Sequence, residues 1–154
     1  MKKETANAIA VVFRDGPDQY EVWRDFRPVP VISVAPVRRP KLDETGTRYS
    51  FDQERELMKD KMRSILRIAA QWGHRDICLG AFGVGPIFRN PVREVAEMWK
   101  QLLFEESEFT GVFSNVVFAI ETPPSGVSSK SGASDLEVFQ YIFDPSRIFA
   151  TAYR

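Results

Sequence analysis

The chain has 154 residues, of which 44% are hydrophobic and 27% are charged. This composition is typical of a folded globular domain and excludes a disordered chain. The 21 basic and 21 acidic side chains cancel, so no long-range attraction to nucleic acid or to an acidic membrane is expected. A single cysteine excludes an internal disulfide framework and favours a reducing compartment, so we expect the cytoplasm or the nucleus.

Membrane insertion and metal binding are both disfavoured by the sequence. No apolar run approaches the roughly 20 residues of a membrane-spanning helix, and the N-terminal residues lack a signal core. Cys78 and His74 are the only residues of their kinds and cannot form a structural zinc site, so no metal and no cofactor are expected. We expect Cys78 to pack in the core and His74 to be a surface or helix-cap residue.

The N-terminal third is predicted to form short strands. Residues 8–13 are rich in β-forming side chains, and residues 20–23 can pair with them as a hairpin. Residues 29–34 have the composition of a buried strand, and residues 36–50 are polar and flanked by prolines, which indicates a loop.

Residues 51–72 carry the clearest helical pattern, with Ser50 and Gln53 at the spacing of a capping box and Gly73 as the stop. Apolar side chains recur there at three- and four-residue spacing. They are Leu57, Met58, Met62, Ile65, Leu66, Ala69 and Trp72. A buried strand over 77–81 is expected next.

A second helix is predicted over 91–104, with Asn90 as its N-cap and Pro91 at its first position. Its apolar face consists of Val92, Val95, Ala96, Trp99, Leu102 and Leu103. Residues 115–120 form another expected strand.

The C-terminal part is less sharply patterned. Residues 122–134 are rich in Pro, Gly and Ser and indicate a mobile loop. Residues 135–143 fit a helix or a strand, and the tail 145–154 holds a possible short strand over 148–152. The central order of strands and helices predicts one α/β layered domain with parallel strand pairing.

The segment between strand 77–81 and helix 91–104 is a candidate anion-binding loop. Gly80, Gly83 and Gly85 allow close approach of backbone N–H groups to a phosphate, and a helix N-terminus follows. Arg89 adds a positive charge, and Phe82 or Phe88 can cover a ribose or a base. The alternative is a tight strand-to-helix turn without a ligand.

Two better-known phosphate motifs do not fit this loop. Gly80 and Gly85 have the Walker spacing, but Pro86 and Ile87 replace the Lys-Ser/Thr pair. Gly83-Val-Gly85 can open a dinucleotide fingerprint, but Phe88 stands where the third glycine belongs.

Three stretches of the sequence are informative together: Leu79-Gly-Ala-Phe-Gly-Val-Gly-Pro-Ile-Phe-Arg-Asn-Pro91, then Val95-Ala96, then Val116-Val-Phe-Ala-Ile120. They resemble the C-terminal half of the microbial-type poly(ADP-ribose) glycohydrolase family. That family typically reads Leu-Gly-Ala-x-Gly-Cys-Gly-x-Phe-x-Asn-Pro and has a macrodomain fold. The similarity is clear over residues 60–121 and looser back to Val11.

The resemblance implies a three-layer α/β/α sandwich with a mixed sheet, shortened at its N-terminus. It also implies that the loop wraps the diphosphate and distal ribose of ADP-ribose, with the end of strand 115–120 near the adenosine. The ligand-binding residues that it implies are Gly80, Ala81, Phe82, Gly83, Val84, Gly85, Phe88, Arg89, Asn90, Ile120, Glu121 and Thr122.

Three departures from the family pattern separate binding from catalysis. Val84 replaces the usual Cys, and one extra residue, Pro86 or Ile87, reshapes the loop. The family's Gly-Gly-Gly loop and adjacent glutamates are missing, so the chain is expected to be a shortened relative or a fragment. Its one Glu-Glu pair, Glu105-Glu106, fits a solvated helix face better than a catalytic dyad.

Three functions follow as hypotheses. The first is a module that binds ADP-ribose or an ADP-ribosylated protein without hydrolysis, in which Gly83→Glu abolishes binding and leaves the fold intact. The second is an ADP-ribosyl hydrolase whose carboxylate is Asp43, Glu44 or Asp52, or comes from a partner chain. The third is a structural or homodimerisation domain, in which a second copy covers open sheet edge.

Overall fold

The computed structural model describes residues 29–121 and 133–149. The strands predicted over 8–13 and 20–23, and most of the loop predicted over 122–134, lie outside these ranges. The chain divides into two compact units, Met1–Val34 and Ala35–Arg154, and each is described by itself.

Of the first unit, only residues 29–34 are described, and they form no strand. The prediction of a buried strand there is wrong. Val29 and Val31 are 42% and 40% exposed. Pro30 has no N–H group to donate to a strand ladder, so this apolar run offers an incomplete set of hydrogen bonds for sheet pairing.

The described part of the second unit alternates helices with two strands. In chain order its elements are α1 (Asp52–Gln71), β1 (Asp76–Gly80), α2 (Val92–Lys100), a π-helical turn (Gln101–Glu105), β2 (Asn115–Ala119), α3 (Asp135–Ile142) and α4 (Pro145–Ile148). β1 and β2 pair in parallel, which confirms the predicted α/β character and the predicted parallel pairing. Over the described ranges, no helix is both long and apolar enough to cross a membrane.

Helix α1 presents one apolar stripe to the core. Met58, Met62 and Leu66 are fully buried, and Ile65 and Ala69 are nearly so. Each large apolar side chain removed from water in this way contributes about 1.5–3 kcal/mol before entropy is counted. Leu57 and Trp72 were also expected in this stripe, but they are 52% and 54% exposed because they lie on its flanks.

The two ends of α1 are closed differently. The N-cap residue is Phe51 with no side-chain hydrogen bond, so the predicted capping box at Ser50 is wrong. At the other end Gly73 adopts φ +75° and its N–H donates to Ala70, while the N–H of His74 donates to Ala69. This pair of bonds is a Schellman motif, which confirms the predicted stop and gives His74 a capping role through its backbone.

Helix α2 continues into the π-helical turn without a break. The predicted apolar face of α2 is buried except for Val92, which is half-buried. Met98, which was not predicted in this face, is also fully buried. In the π-helical turn the N–H of Glu106 donates to the carbonyl of Gln101, one residue further back than in an α-helix. Leu102 and Leu103 are both buried there.

Described residues cover one face of the β1–β2 pair, and side chains on its other face are exposed. Leu79 lies opposite Phe118 in the register, and Phe118 packs against Trp99 and Phe139 at ring distances of 6.4 and 5.2 Å. The alternate residues point the other way. Val117 is 58% exposed and Cys78 is exposed as well, so the expectation that Cys78 is a core residue is wrong.

The C-terminal segment is helical, which decides between the two predicted alternatives. The Ser134 side chain accepts the N–H of Glu137, and the Glu137 carboxylate accepts the N–H of Ser134 at 2.6 Å. This capping box fixes the first turn of α3. The Glu137 carboxylate accepts bonds from the N–H and from the hydroxyl of Ser134, and these two bonds lower the pKa of Glu137. Ile148, expected in a short strand, belongs to α4.

We predict that Ser134→Ala lowers the free energy of unfolding by about 1 kcal/mol, because the first turn of α3 loses its side-chain cap. Ser64→Ala is the matched control. The Ser64 hydroxyl donates to the Asp60 carbonyl within α1, so alanine there should be neutral or slightly stabilising. Urea denaturation of the three proteins measures the difference, and equal losses in both variants would contradict the capping role.

Candidate functional site

The glycine loop and the end of β2 lie at the same edge of the sheet. Gly80 is opposite Ala119 in the parallel register, so both strands deliver the chain to their shared carboxyl edge. Ligands of open α/β sheets bind at this edge. The structure therefore brings together the loop and two further predicted site residues, Ile120 and Glu121, which are half-buried and exposed. Thr122 lies outside the described residues.

The loop folds back on itself before α2 begins. The N–H of Arg89 donates to Gly85 at 2.9 Å, and the N–H of Asn90 donates to Gly83 at 3.0 Å. Gly83 and Gly85 have φ of +72° and +101°, angles that side chains other than glycine rarely adopt. Gly83 and Gly85 thus use the backbone freedom of glycine, whereas Gly80 ends β1 without a positive φ.

Several backbone donors of the loop remain available. Within the described part of the chain, no acceptor is found for the N–H groups of Gly83, Gly85, Ile87 and Phe88. Gly85 and Ile87 are exposed, so their N–H groups lie in a solvent-accessible part of the loop. Free N–H groups on a glycine-rich turn are the donors that an anion such as phosphate requires.

Gly83 is also needed for packing. A Cβ atom there would lie 2.7 Å from Asn90 Nδ2, 2.8 Å from Pro36 Cβ and 3.0 Å from Met58 Cε. The first two distances are shorter than real Cβ contacts allow, and Met58 is a fully buried residue. The expectation that Gly83→Glu leaves the fold intact is therefore wrong.

The side chain of Asn90 holds the loop in place from inside. It is 3% exposed, and its Nδ2 donates to the carbonyls of Val37 at 2.7 Å and Gly83 at 2.9 Å. Its Oδ1 accepts the hydroxyl of Tyr49 at 2.8 Å. Both amide hydrogens of Asn90 are thus bonded within the protein. The side chain of Asn90 therefore fixes the conformation of the loop.

This internal role displaces the predicted helix cap. The N-cap of α2 is Pro91, which makes no side-chain hydrogen bond, and α2 starts one residue later than expected. Burial first, and then the negative charge of Glu94, raise the pKa of Tyr49 well above its usual value. Tyr49 therefore stays protonated and keeps donating to Asn90 over the whole neutral range. Sequence reasoning assigned Tyr49 only to a loop, since no periodic pattern surrounds it.

The remaining predicted loop residues divide between the core and solvent. Phe82 is half-buried and packs on Trp99 at a ring distance of 6.3 Å, and Phe88 is half-buried as well. Ala81 and Val84 are half-buried. Arg89 is exposed, and its Nε donates to the carbonyl of Pro86 at 3.3 Å.

Asp43, one of the carboxylates considered for catalysis, is a poor proton donor because its pKa is lowered. Slight desolvation raises the pKa of Asp43, but hydrogen bonds from Thr45 and from the N–H groups of Arg48 and Thr47 outweigh it and lower the pKa. Asp43 thus organises its own turn. Glu44 and Asp52 are exposed.

The Glu105-Glu106 pair is split between two environments. Glu105 is exposed, as predicted. Glu106 is ion-paired to α1 through Lys59 at 2.9 Å and Arg63 at 3.0 Å, so the expected solvated face is wrong for this residue. Hydrogen bonding to Arg63, followed by Lys59, lowers the pKa of Glu106 and keeps it ionised. This carboxylate directly follows the π-helical turn and is held by two cations, which is a structural role.

A separate cleft of about 550 Å³ lies on the α2 and α3 side of the unit. Its lining consists of Arg93, Ala133, Glu137, Val138, Tyr141 and Ile142. The guanidinium of Arg147 stacks on the ring of Tyr141 at 3.6 Å. Among the residues that the structure describes, none of those predicted to bind a ligand lines this cleft.

Comparison with known proteins found no match to a family model, to a curated protein or to a solved structure. The resemblance to the poly(ADP-ribose) glycohydrolase family therefore remains a prediction from the quoted motif. In the described ranges, no three His, Cys, Asp or Glu residues are grouped as a metal site would require.

We predict that Gly83→Ala destabilises the protein by about 2–4 kcal/mol, because overpacking adds to the cost of a left-handed backbone. Gly85→Ala is the matched control, since a Cβ there meets nothing within 4 Å although its φ is also positive. Chemical denaturation compares the two, and the excess loss at residue 83 isolates the steric contact. Equal stability of the two variants would contradict the packing role of Gly83.

Proposed function

We propose that the unit Ala35–Arg154 is a macrodomain-like module that binds ADP-ribose or a related nucleotide diphosphate through the loop 80–90. The observation that carries the proposal is the set of loop N–H groups that have no acceptor among the described residues, at the carboxyl edge of two parallel strands. In this proposal the described strands belong to a larger mixed sheet of a three-layer α/β/α sandwich. Its natural partner is free ADP-ribose or an ADP-ribosylated protein.

The chemistry of the loop favours an anion. Backbone donors without side chains in the way can approach phosphate oxygens closely, and Gly85 has open space around it. The first turn of α2 adds its own free N–H groups and the positive end of the helix dipole. The buried amide of Asn90 fixes the loop before a ligand arrives, which reduces the entropic cost of binding.

Hydrolysis is left out of the proposal. Cleavage of a ribosyl bond needs a carboxyl group that can give a proton or activate water near the bond. Asp43 and Glu106 have lowered pKa values and are committed to structural hydrogen bonds. A binding module is the function that agrees with these carboxylates.

We predict that the protein binds ADP-ribose and that Ile87→Glu weakens binding about tenfold or more. Ile87 is 62% exposed in the loop, so glutamate there adds negative charge beside the phosphates without disturbing the core. Leu57→Glu is the matched control, an identical gain of charge at a side chain 52% exposed on α1. Isothermal titration calorimetry measures all three proteins.

The wild type and Leu57→Glu should bind alike. Absence of binding by folded wild-type protein at millimolar ADP-ribose would overturn the proposed function. Equal weakening by both variants would show that the loop is not the site.

Homodimerisation is a second candidate function, favoured by the open sheet face. Val117 is 58% exposed beside the exposed Cys78, which leaves apolar side chains of β1 and β2 in solvent. A second copy that packs on this face would remove that surface from water. Dimerisation and ADP-ribose binding are compatible, because Gly85 and Ile87 lie in the loop beyond the strands.

We predict that the wild type is dimeric by size-exclusion chromatography with light scattering and that Val117→Lys is monomeric. A lysine at an exposed strand position keeps the fold but places a charge in the interface. Tyr141→Lys, at a side chain 49% exposed on α3, should leave the dimer intact. A wild type that is monomeric at all concentrations would exclude this second function.

A further inference from the structure

The cleft on the α2 and α3 side of the second unit has the size of a small-molecule site. Its volume of about 550 Å³ lies within the range of roughly 300–1,000 Å³ that ligand pockets occupy. Arg93, in the first turn of α2, contributes to one part of the lining, and Ala133 lies next to the N-cap of α3. The rest comes from α3, whose lining residues share one helix face through three- and four-residue spacing. They are Glu137, Val138, Tyr141 and Ile142.

Most of this lining is apolar and fixed in place. Ile142 is buried, Val138 is half-buried and Tyr141 is 49% exposed, so the lining runs from the core out to solvent. The guanidinium of Arg147, from α4, stacks on the Tyr141 ring at 3.6 Å. This cation–π contact restrains the ring before a ligand arrives, which lowers the entropic cost of binding. Such a surface favours a ligand with an aromatic body, because aromatic rings pack well on one another.

Arg93 supplies a positive charge to the cleft. Its guanidinium carbon lies 5.9 Å from the centre of the Tyr141 ring, a looser approach than that of Arg147. Within the described ranges, Arg93 has no carboxylate oxygen within 4.0 Å. Its planar fork of N–H donors is therefore open to an anionic group of a ligand.

Glu137 limits the charge that such a ligand can carry. Its Oε2 accepts the N–H of Ser134 at 2.6 Å and the hydroxyl of Ser134 at 2.9 Å. These bonds lower the pKa of Glu137, so its carboxylate is ionised at neutral pH. An ionised acid in the same lining as Arg93 repels a second negative charge on the ligand. A single negative charge is the best match to this pair.

We propose that the cleft binds a small organic monocarboxylate with an aromatic body. Arg93 holds the carboxylate through its planar fork, and the aromatic body packs against Val138, Tyr141 and Ile142. The proposal does not rest on the proposed function, because among the described residues no residue of the loop 80–90 lines the cleft.

An NMR titration of the full chain, followed on its backbone amides, tests the proposal with naphthaleneacetate as the probe. The neutral naphthaleneacetamide has a similar shape without the charge, and naphthyl phosphate carries a second charge. Naphthaleneacetate should bind with a dissociation constant of about 1 mM or tighter, with the largest changes at Ala133, Val138 and Tyr141. The other two compounds should bind about tenfold more weakly or less.

Substitution of Arg93 tests the recognition of the carboxylate. Arg93→Gln should weaken the binding of naphthaleneacetate about tenfold or more, because the carboxylate loses its charged donors. Arg93→Lys keeps the charge without the fork and should fall between Arg93→Gln and wild type. Arg48→Gln is the matched control, since Arg48 is an exposed arginine before α1, and its affinity should stay within about twofold of wild type.

A larger side chain at Ala133 separates binding from folding. Ala133 is exposed and directly precedes the N-cap Ser134, so Ala133→Phe can pack on Val138 as a hydrophobic staple. The melting temperature should equal or exceed that of wild type, while the filled cleft binds naphthaleneacetate about tenfold more weakly or less. Unchanged affinity in this variant would overturn the proposal.

Other results would also overturn it. They are the absence of saturable changes in the lining residues of folded wild type at millimolar naphthaleneacetate, equal affinity for naphthaleneacetamide, and wild-type affinity in Arg93→Gln. Tighter binding of naphthyl phosphate would overturn the assignment to a monocarboxylate. Tighter binding of a peptide with a C-terminal phenylalanine, with changes that spread beyond the cleft, would overturn the assignment to a small molecule.

Competition with ADP-ribose separates this site from the glycine loop. Saturating ADP-ribose should leave the affinity for naphthaleneacetate unchanged, and displacement of the probe would overturn the separate site. Binding of naphthaleneacetate by a protein that does not bind ADP-ribose would support the cleft and overturn the proposed function alone.

Discussion

The architecture of the candidate site depends on one buried amide. Asn90 bonds at once to the segment before α1, to the glycine loop and to Tyr49. A buried amide that loses one of these partners costs about 1–3 kcal/mol, which is a large share of the stability of a domain. The loop conformation and the placement of the preceding segment are therefore coupled, and neither can be altered alone.

Because of this coupling, the site does not consist of the glycine loop by itself. Residues 36–39 approach it through the bond to Val37 and through the backbone of Arg39. Met58 of α1 closes the space behind Gly83. A ligand at the loop would thus be linked energetically to α1 and to the start of the second unit, and binding should stabilise the whole unit rather than the loop alone.

Local patterns in the sequence predicted much of this fold, and the misses have physical causes. Helical spacing and Gly73 located α1, and two apolar runs located β1 and β2. Periodicity did not reveal that one face of the sheet is open, so Cys78 was wrongly expected in the core. Propensity left α3 undecided although Ser134 and Glu137 carried the signature of a capping box.

The sequence likewise predicted some features of the candidate site and not others. The glycine spacing predicted the turn, since chain geometry at Gly83 and Gly85 is a local property. The contacts of Asn90 with Tyr49 and of Arg39 with Phe88 join distant parts of the chain, and no local pattern encodes them. Such pairings are set by tertiary packing and become visible only once the fold is known.

The π-helical turn after α2 sets which acidic residue meets α1. An α-helix rotates by about 100° per residue, so the wider turn over Gln101–Glu105 changes the direction in which every later side chain points. Glu106 reaches Lys59 and Arg63, whereas Glu105 faces solvent. Glu105 and Glu106 are chemically identical neighbours. The geometry of this single turn therefore determines which of them forms the ion pairs with α1.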